Sequence, residues 1–291
     1  MITVFTPTFN RRKNLAELYL SLKNQTFTDF EWLIVDDGST DETEEYISNL
    51  LKKDERIRYV KQKNGGKHVA FNKGIENAKG EIFICVDSDD KLVPNALEKI
   101  SYIQKKYAQY ENICGYVFQK GIDVSKPLYK NFKEKEFVDD YNIYINNGNF
   151  KGDKCEVFIT KILKKFRFPV YENEKFIAEG FLWSKIGKNY KYVFVDEVIY
   201  LCEYLENGLT KQGRKLRIKN PLGGMTHAKE FIDKRYNIKI RQKNALLYLT
   251  YARFASLNIM KLISESDCKF VLYLNVIPSL ILKIIWTKKF L

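Results

Sequence analysis

The chain has 291 residues, 45% of them apolar and 14% aromatic, which is long enough for one large domain with an appendage and too apolar for a disordered segment. Its formal charge of +13 favours anionic partners such as nucleotides or acidic lipid headgroups, but no RNA-binding aromatic motif, helix-turn-helix signature or zinc-finger spacing accompanies it, so no nucleic acid is expected. Cys85, Cys114, Cys155, Cys202 and Cys268 are odd in number and lack Cys-x-x-Cys spacing, which argues against a disulfide framework or a zinc site and for reduced thiols.

Met1 leads directly into the β-type run Ile2 to Thr6, without the basic, apolar and small-residue regions of a secretory signal, so a cytoplasmic location is expected. Leu15, Leu18, Tyr19 and Leu22 then recur at helical spacing. Glu31 to Val35 reads as a second strand, and Ser39 and Glu42 have capping-box spacing for a helix through about Leu51. Ile57 to Val60 predicts a third strand, Val69 to Ala78 a helix closed by Gly80, and Ile82 to Val86 a fourth strand; Pro94 opens another helix. This alternation predicts an α/β fold with a Rossmann-like, mostly parallel sheet flanked by helices, and places ligands at the carboxyl ends of the strands.

Periodicity weakens over 118–150, which reads only as a connecting excursion. Glu156 to Thr160, Phe176 to Trp183, Tyr192 to Val195 and Val198 to Tyr204 are strand-like runs that could rejoin the sheet. Gly213, Pro221, Gly223 and Gly224 punctuate a boundary over 211–224, beyond which a helical pattern follows.

Two apolar strands end in acid clusters, Asp36-Asp37 and Asp87-Ser88-Asp89-Asp90, and in a parallel sheet both reach the same edge. Singly, each reads as a turn or a helix cap. Together they set carboxylates against one another at a cost of roughly 4 kcal/mol per pair about 4 Å apart at an effective dielectric near 20, and a cation is the usual relief. Oxygen ligands point to Mg²⁺ or Mn²⁺, with positions left open for the oxygens of a departing nucleoside diphosphate.

The runs Thr-Pro-Thr-Phe-Asn-Arg at 6–11, Val-Asp-Asp-Gly-Ser-Thr-Asp at 35–41 and Asp-Ser-Asp-Asp at 87–90 resemble those of inverting family 2 glycosyltransferases of the bacterial surface-polysaccharide type. The resemblance is strong over about the first 120 residues and weaker over 150–210. It implies a GT-A fold, with a catalytic domain over 1–215 (a donor half to about 120, an acceptor half from about 150) and a helical C-terminal region over 216–291. It implies that Thr6 and Pro7 flank the nucleobase, that Asp37 hydrogen-bonds it with Asp36 as the alternative, and that Asp87 and Ser88 lie near the ribose and diphosphate. Asp89 would coordinate the metal, supported by Asp87 and Asp90, and Lys67, in the glycine-rich stretch 64–74, would face the nucleotide. Glu179, four residues before Trp183, stands where the family keeps its general base, although Ala178 replaces the family's acidic neighbour and Glu its Asp; a helix-capping surface Glu is the other reading. The basic segment 208–217 resembles one that closes over the donor, so that Lys211, Arg214 or Lys215 would meet diphosphate oxygens, a solvated loop being the alternative.

The segment 270–286 is apolar but broken by Asn275, Pro278 and Lys283, too short to span a bilayer. Lys283, Lys288 and Lys289 beside Trp286 and Phe290 suit peripheral membrane contact through about 270–291, or packing on the catalytic domain or in a homo-oligomer. The resulting expectation is a metal-dependent inverting glycosyltransferase using a nucleotide-diphosphate sugar, with UDP favoured by the family, and a glycan or lipid-linked acceptor, working in the cytoplasm or at the inner face of its membrane. The alternatives are a non-catalytic nucleotide-sugar or lipid-binding module, and a nucleotidyltransferase; the latter usually carries an early glycine-rich loop, and residues 2–14 contain no Gly.

Overall fold

A computed structural model describes all residues except 149, 151 and 203–208, and only the backbone of 209–212. Two compact units divide the chain: Met1–Asp140 with Lys151–Arg167 and Asn189–Tyr204, and Tyr141–Phe150 with Phe168–Lys188 and Leu205–Leu291.

The first unit is a mixed sheet with helices packed on it. Its elements are β1 (Ile2–Thr8), α1 (Arg12–Lys23), β2 (Phe30–Asp36), α2 (Thr43–Leu51), β3 (Ile57–Lys61), α3 (Lys67–Asn77), β4 (Ile82–Cys85), β5 (Lys91–Leu92), α4 (Ala96–Tyr107), β6 (Ile113–Asp123), β7 (Lys126–Pro127), β8 (Glu136–Asp139), β9 (Lys154–Ile159), α5 (Thr160–Leu163) and β10 (Lys191–Leu201). The strand order is β3-β2-β1-β4-β9-β6-β10-β5. The strands β3, β2, β1 and β4 are parallel, as the strand–helix alternation requires, whereas β9 runs antiparallel to both β4 and β6. The core between sheet and helices includes Leu15, Leu18 and Leu22 of α1, Ile47 of α2 and Trp32 of β2, all buried, as their helical and strand spacing predicts.

Local differences from the sequence reading have physical causes. The Ser39–Glu42 capping box does not form, because the Ser39 hydroxyl accepts the Asn10 N–H at 2.9 Å and α2 begins without a side-chain cap. The runs 192–195 and 198–204 read as two strands; the described part is one bulged strand, β10, whose register against β6 shifts between Val195 and Val198. Phe176 to Trp183 is not a strand: its second half lies in a helix of the second unit. Within 118–150 the sequence showed little periodicity because β6 is buried on both faces and β7 and β8 are short.

The second unit holds a π-helical turn (Asn142–Asn147), α6 (Gly180–Ile186), α7 (Leu209–Lys219, kinked at Gly213), α8 (Pro221–Glu230), α9 (Ile238–Phe254), α10 (Ile259–Ser264), α11 (Lys269–Tyr273) and α12 (Val276–Phe290). The N-terminal amides of α8 are capped by Glu174, whose carboxylate accepts from Leu222 and Gly223, each at 2.7 Å, satisfying donors that a helix start leaves unpaired. Ala245, Leu249, Ile263 and Leu272 form a buried cluster centred on α9. No described helix is long and apolar enough to cross a membrane.

Candidate active site

The carboxyl ends of β1, β2 and β4 carry the predicted residues. Asp36 ends β2 and Asp37 follows it, but the two do different work. Asp36, fully buried, accepts the Ser39 N–H at 2.8 Å and the Tyr59 hydroxyl at 2.8 Å. Its carboxylate keeps the Tyr59 phenol protonated, pushing that pKa far above its usual value, with burial the larger cause. Asp37 accepts Gln62 Nε2 at 2.7 Å and the backbone N–H groups of Gly65 and Gly66 at 2.8 and 2.7 Å. It therefore fixes the glycine-rich loop that opens α3. Gly66 holds φ +93°, a left-handed conformation that favours glycine. Gly38 does the same at +82°, where an added Cβ would meet Asn64 N at 3.0 Å.

Lys67, the first residue of α3, reaches Asp87 with Nζ 2.6 and 2.8 Å from the two carboxylate oxygens. The Asp87 N–H donates to the Tyr200 hydroxyl at 3.0 Å, and that hydroxyl donates to Asp90 at 2.6 Å. Lys120, paired with Tyr200 across β6 and β10, places its ammonium 4.1 Å from the Tyr200 ring centre. Burial opposes ionisation of Asp87, but the ammoniums of Lys67 and Lys120, with Arg11 beyond them, bring its pKa below the usual range. Asp90 goes the other way: burial and the neighbouring Asp87 push it up to about 7. Burial also opposes the charge on Lys120, yet Asp87 and Asp90 hold it protonated and raise its pKa. Cations and carboxylates are thus interleaved in one cluster, an arrangement suited to an anionic ligand.

Ser88 is buried, and Asp89 is half-buried with no hydrogen bond or ion pair among the described residues. Pro7 is partly exposed at the end of β1, while Thr6 is fully buried and its hydroxyl accepts the Trp32 indole N–H at 2.9 Å. The Thr6 hydroxyl is therefore spent on the core.

In the second unit, Glu179 immediately precedes α6; it is half-buried, its carbonyl accepts the Leu182 N–H at 2.8 Å, and its side chain makes no capping hydrogen bond. A side chain at Gly180 would meet His227 Nε2 at 3.6 Å, so the imidazole lies beside the start of α6. Burial, with Arg217 and Lys243, depresses the His227 pKa to about 3 and keeps the ring neutral. Of the basic segment, Arg214 donates to the Tyr251 hydroxyl at 3.2 Å and covers the Trp286 ring at 4.4 Å, so its guanidinium is committed within this unit. Lys215 is exposed, and the side chain of Lys211 lies outside the described residues.

A model of the family described as Glycosyl transferase family 2 matches residues 3–165, more than half of the chain. The chain belongs to glycosyltransferase family 2. This family 2 glycosyltransferase is 33% identical over 193 residues to the GalNAc(5)-diNAcBac-PP-undecaprenol beta-1,3-glucosyltransferase of Campylobacter jejuni, an alignment covering 64% of this chain and 60% of that protein. It is 27% identical over 228 residues to glycosyltransferase GlyA of Streptococcus pneumoniae, covering 75% and 32% of the two chains. The matched region is therefore less than two thirds of the length of these relatives. Among solved structures, S. aureus TarS 1-349 in complex with UDP-GlcNAc superimposes with a TM-score of 0.64 at 19% identity, covering 91% of this chain and 76% of that one. The mannosyltransferase PcManGT of Pyrobaculum calidifontis, in complex with GDP-Man and Mn²⁺, gives 0.58 at 17% identity, covering 99% and 83%. These likenesses show the GT-A fold in the glycosyltransferase.

No three His, Cys, Asp or Glu side chains form a closed metal cage among the described residues of this glycosyltransferase. The donor set nonetheless fits a hard divalent ion of the kind that takes one or two carboxylates and completes its shell with substrate oxygens and water. Asp89 offers an uncommitted carboxylate beside Asp87, whereas Asp90 is tied to Tyr200. Arg11, Lys120 and Tyr200 were not singled out as site residues from sequence. Arg11 stood in the 6–11 run as a signal that was available; Tyr200 is 113 positions from Asp87, a separation that carries no local pattern.

Proposed function

We propose that this protein transfers a glycosyl group from a nucleoside diphosphate sugar, a UDP-sugar by preference, to a hydroxyl of a glycan or lipid-linked acceptor, at the inner face of the cytoplasmic membrane. The observation that carries the reading is the single cluster at the ends of β2 and β4, where Asp37 pins the glycine loop, Lys67 grips Asp87, and Asp89 is left uncommitted. The loop and the end of β1 would receive the base, and Lys67, Lys120 and Arg11 would meet the diphosphate charge. Asp89, supported by Asp87, would hold Mn²⁺ or Mg²⁺, which supplies charge stabilisation for the leaving diphosphate. Glu179 would accept the proton of the acceptor hydroxyl as that oxygen bonds to the sugar C1; the bond from C1 to the diphosphate oxygen breaks, and the nucleoside diphosphate leaves with the electron pair. The Campylobacter relative, a glucosyltransferase named for its undecaprenol-diphosphate-linked acceptor, supports the acceptor class.

The stereochemistry of the product tests this reading. An α-linked donor should yield a β-linked product by NMR, and Glu179→Gln should lower turnover by about a hundredfold or more while leaving donor affinity within about twofold. A retained configuration, or full turnover by the variant, would contradict it.

A further inference from the structure

The outward face of α12 is apolar where a solvated helix would be polar. Ile277, Leu280, Ile281, Ile284 and Ile285 follow the spacing that places side chains on one helical face, and all are exposed, Ile277 to 71%. Phe270 of α11 adds a ring exposed to 75%. The opposite face of α12 is the packed one. Trp286 is buried against Tyr251 and Phe254, and Arg253 anchors the first turn by donating to Ser279 Oγ at 3.0 Å and to the Val276 carbonyl at 2.9 Å. The helix is thus fixed on one side with its apolar stripe turned out, the pattern of an interaction surface.

Charge identifies what covers it. Residues 209–291 contain seventeen Lys and Arg against four Asp and Glu, a surplus of thirteen that equals the charge of the whole chain and leaves 1–208 balanced. Lys283, Lys288 and Lys289 lie on α12 itself. A second copy docked stripe to stripe would bring two such surpluses together, whereas anionic headgroups supply the opposite charge and acyl chains cover the apolar stripe. At 1.5 Å per residue the fifteen residues of α12 extend only about 22 Å, short of a hydrocarbon core of about 30 Å. We infer that α12, with the exposed Phe270 of the preceding helix, seats this chain in the interface of an anionic bilayer without crossing it, isoleucines toward the acyl chains and lysines among the headgroups. The inference rests on the second unit alone and holds whatever reaction the first unit performs.

Flotation with vesicles made of equal parts phosphatidylglycerol and phosphatidylcholine, against vesicles of phosphatidylcholine alone, tests it without donor or acceptor present. The wild type should float with the anionic vesicles and largely remain behind with the neutral ones. The exposed-site variant Ile277→Asn/Ile281→Asn/Ile284→Asn and the charge variant Lys288→Glu/Lys289→Glu should each bind about tenfold or more weakly, with wild-type circular dichroism. Absence of wild-type binding to the anionic vesicles, or binding by either variant equal to that of the wild type, would overturn the inference. So would a dimer in analytical ultracentrifugation that dissolves in the isoleucine variant, since that would assign the stripe to a second copy.

Discussion

The Tyr200 hydroxyl donates to Asp90 at 2.6 Å while accepting the Asp87 N–H at 3.0 Å, so one phenol on β10 ties together both ends of the acidic turn that follows β4. The turn is held by a strand that enters the sheet more than a hundred residues later, which leaves Asp89 between two fixed neighbours. Removing the hydroxyl as Tyr200→Phe strands a buried carboxyl and a backbone donor, at a cost of about 1–3 kcal/mol. Calorimetry should show a lower Tm, and nucleotide titration a weaker donor; an unchanged Tm would contradict the bridging role.

Asp37 bears on the nucleotide through the loop it holds. In Asp37→Ala the Gly65 and Gly66 amides and Gln62 lose their acceptor, and the start of α3 with Lys67 is released. Nucleotide affinity should fall about tenfold or more by isothermal titration, consistent with about 1.4 kcal/mol or more of lost positioning. Affinity within twofold of wild type would show that the loop is held by other means.

His227 gives the second unit an acid sensitivity of definite sign. Its pKa is about 3 in the folded chain, for which burial is the main cause, against 6.5 ordinarily. The folded state therefore excludes a proton that the unfolded chain binds. The stability carried by the neutral ring is complete above 6.5 and is lost as pH falls toward 3. His227→Gln should lose less Tm than wild type between about pH 7 and about pH 4. Parallel Tm profiles would contradict the depressed pKa.

The parallel part of the sheet was legible because β1, β2 and β4 are short apolar runs separated by helix-period segments, and the two acid clusters fall at their ends. The antiparallel insertion of β9 was not, since an apolar run has the same appearance in either direction. Asp36 and Asp37 are indistinguishable as neighbours in sequence, and only the third dimension separates the turn-holding carboxylate from the loop-holding one. Thr6 belonged to a matched motif, yet its hydroxyl faces Trp32, because alternation along a strand fixes which face a residue takes only once the buried face is known. Arg214 read as a phosphate-binding residue by its charge, while its place over Trp286 depends on a residue of α12 that is 72 positions away. Lys120 and Tyr200 carry no local signal for the same reason.

The cluster around Asp89 is proposed to bind a nucleoside diphosphate sugar together with a divalent ion. The most direct test is calorimetric titration of UDP-, GDP- and dTDP-sugars into wild type and Asp89→Ala, each with and without Mn²⁺. Asp89 is half-buried and makes no hydrogen bond among the described residues, so the variant should fold normally. The wild type should bind one nucleotide class in a Mn²⁺-dependent manner, and the variant should bind it on the order of a hundredfold more weakly. Binding of the same nucleotide with equal affinity by both proteins, or by neither, would contradict it.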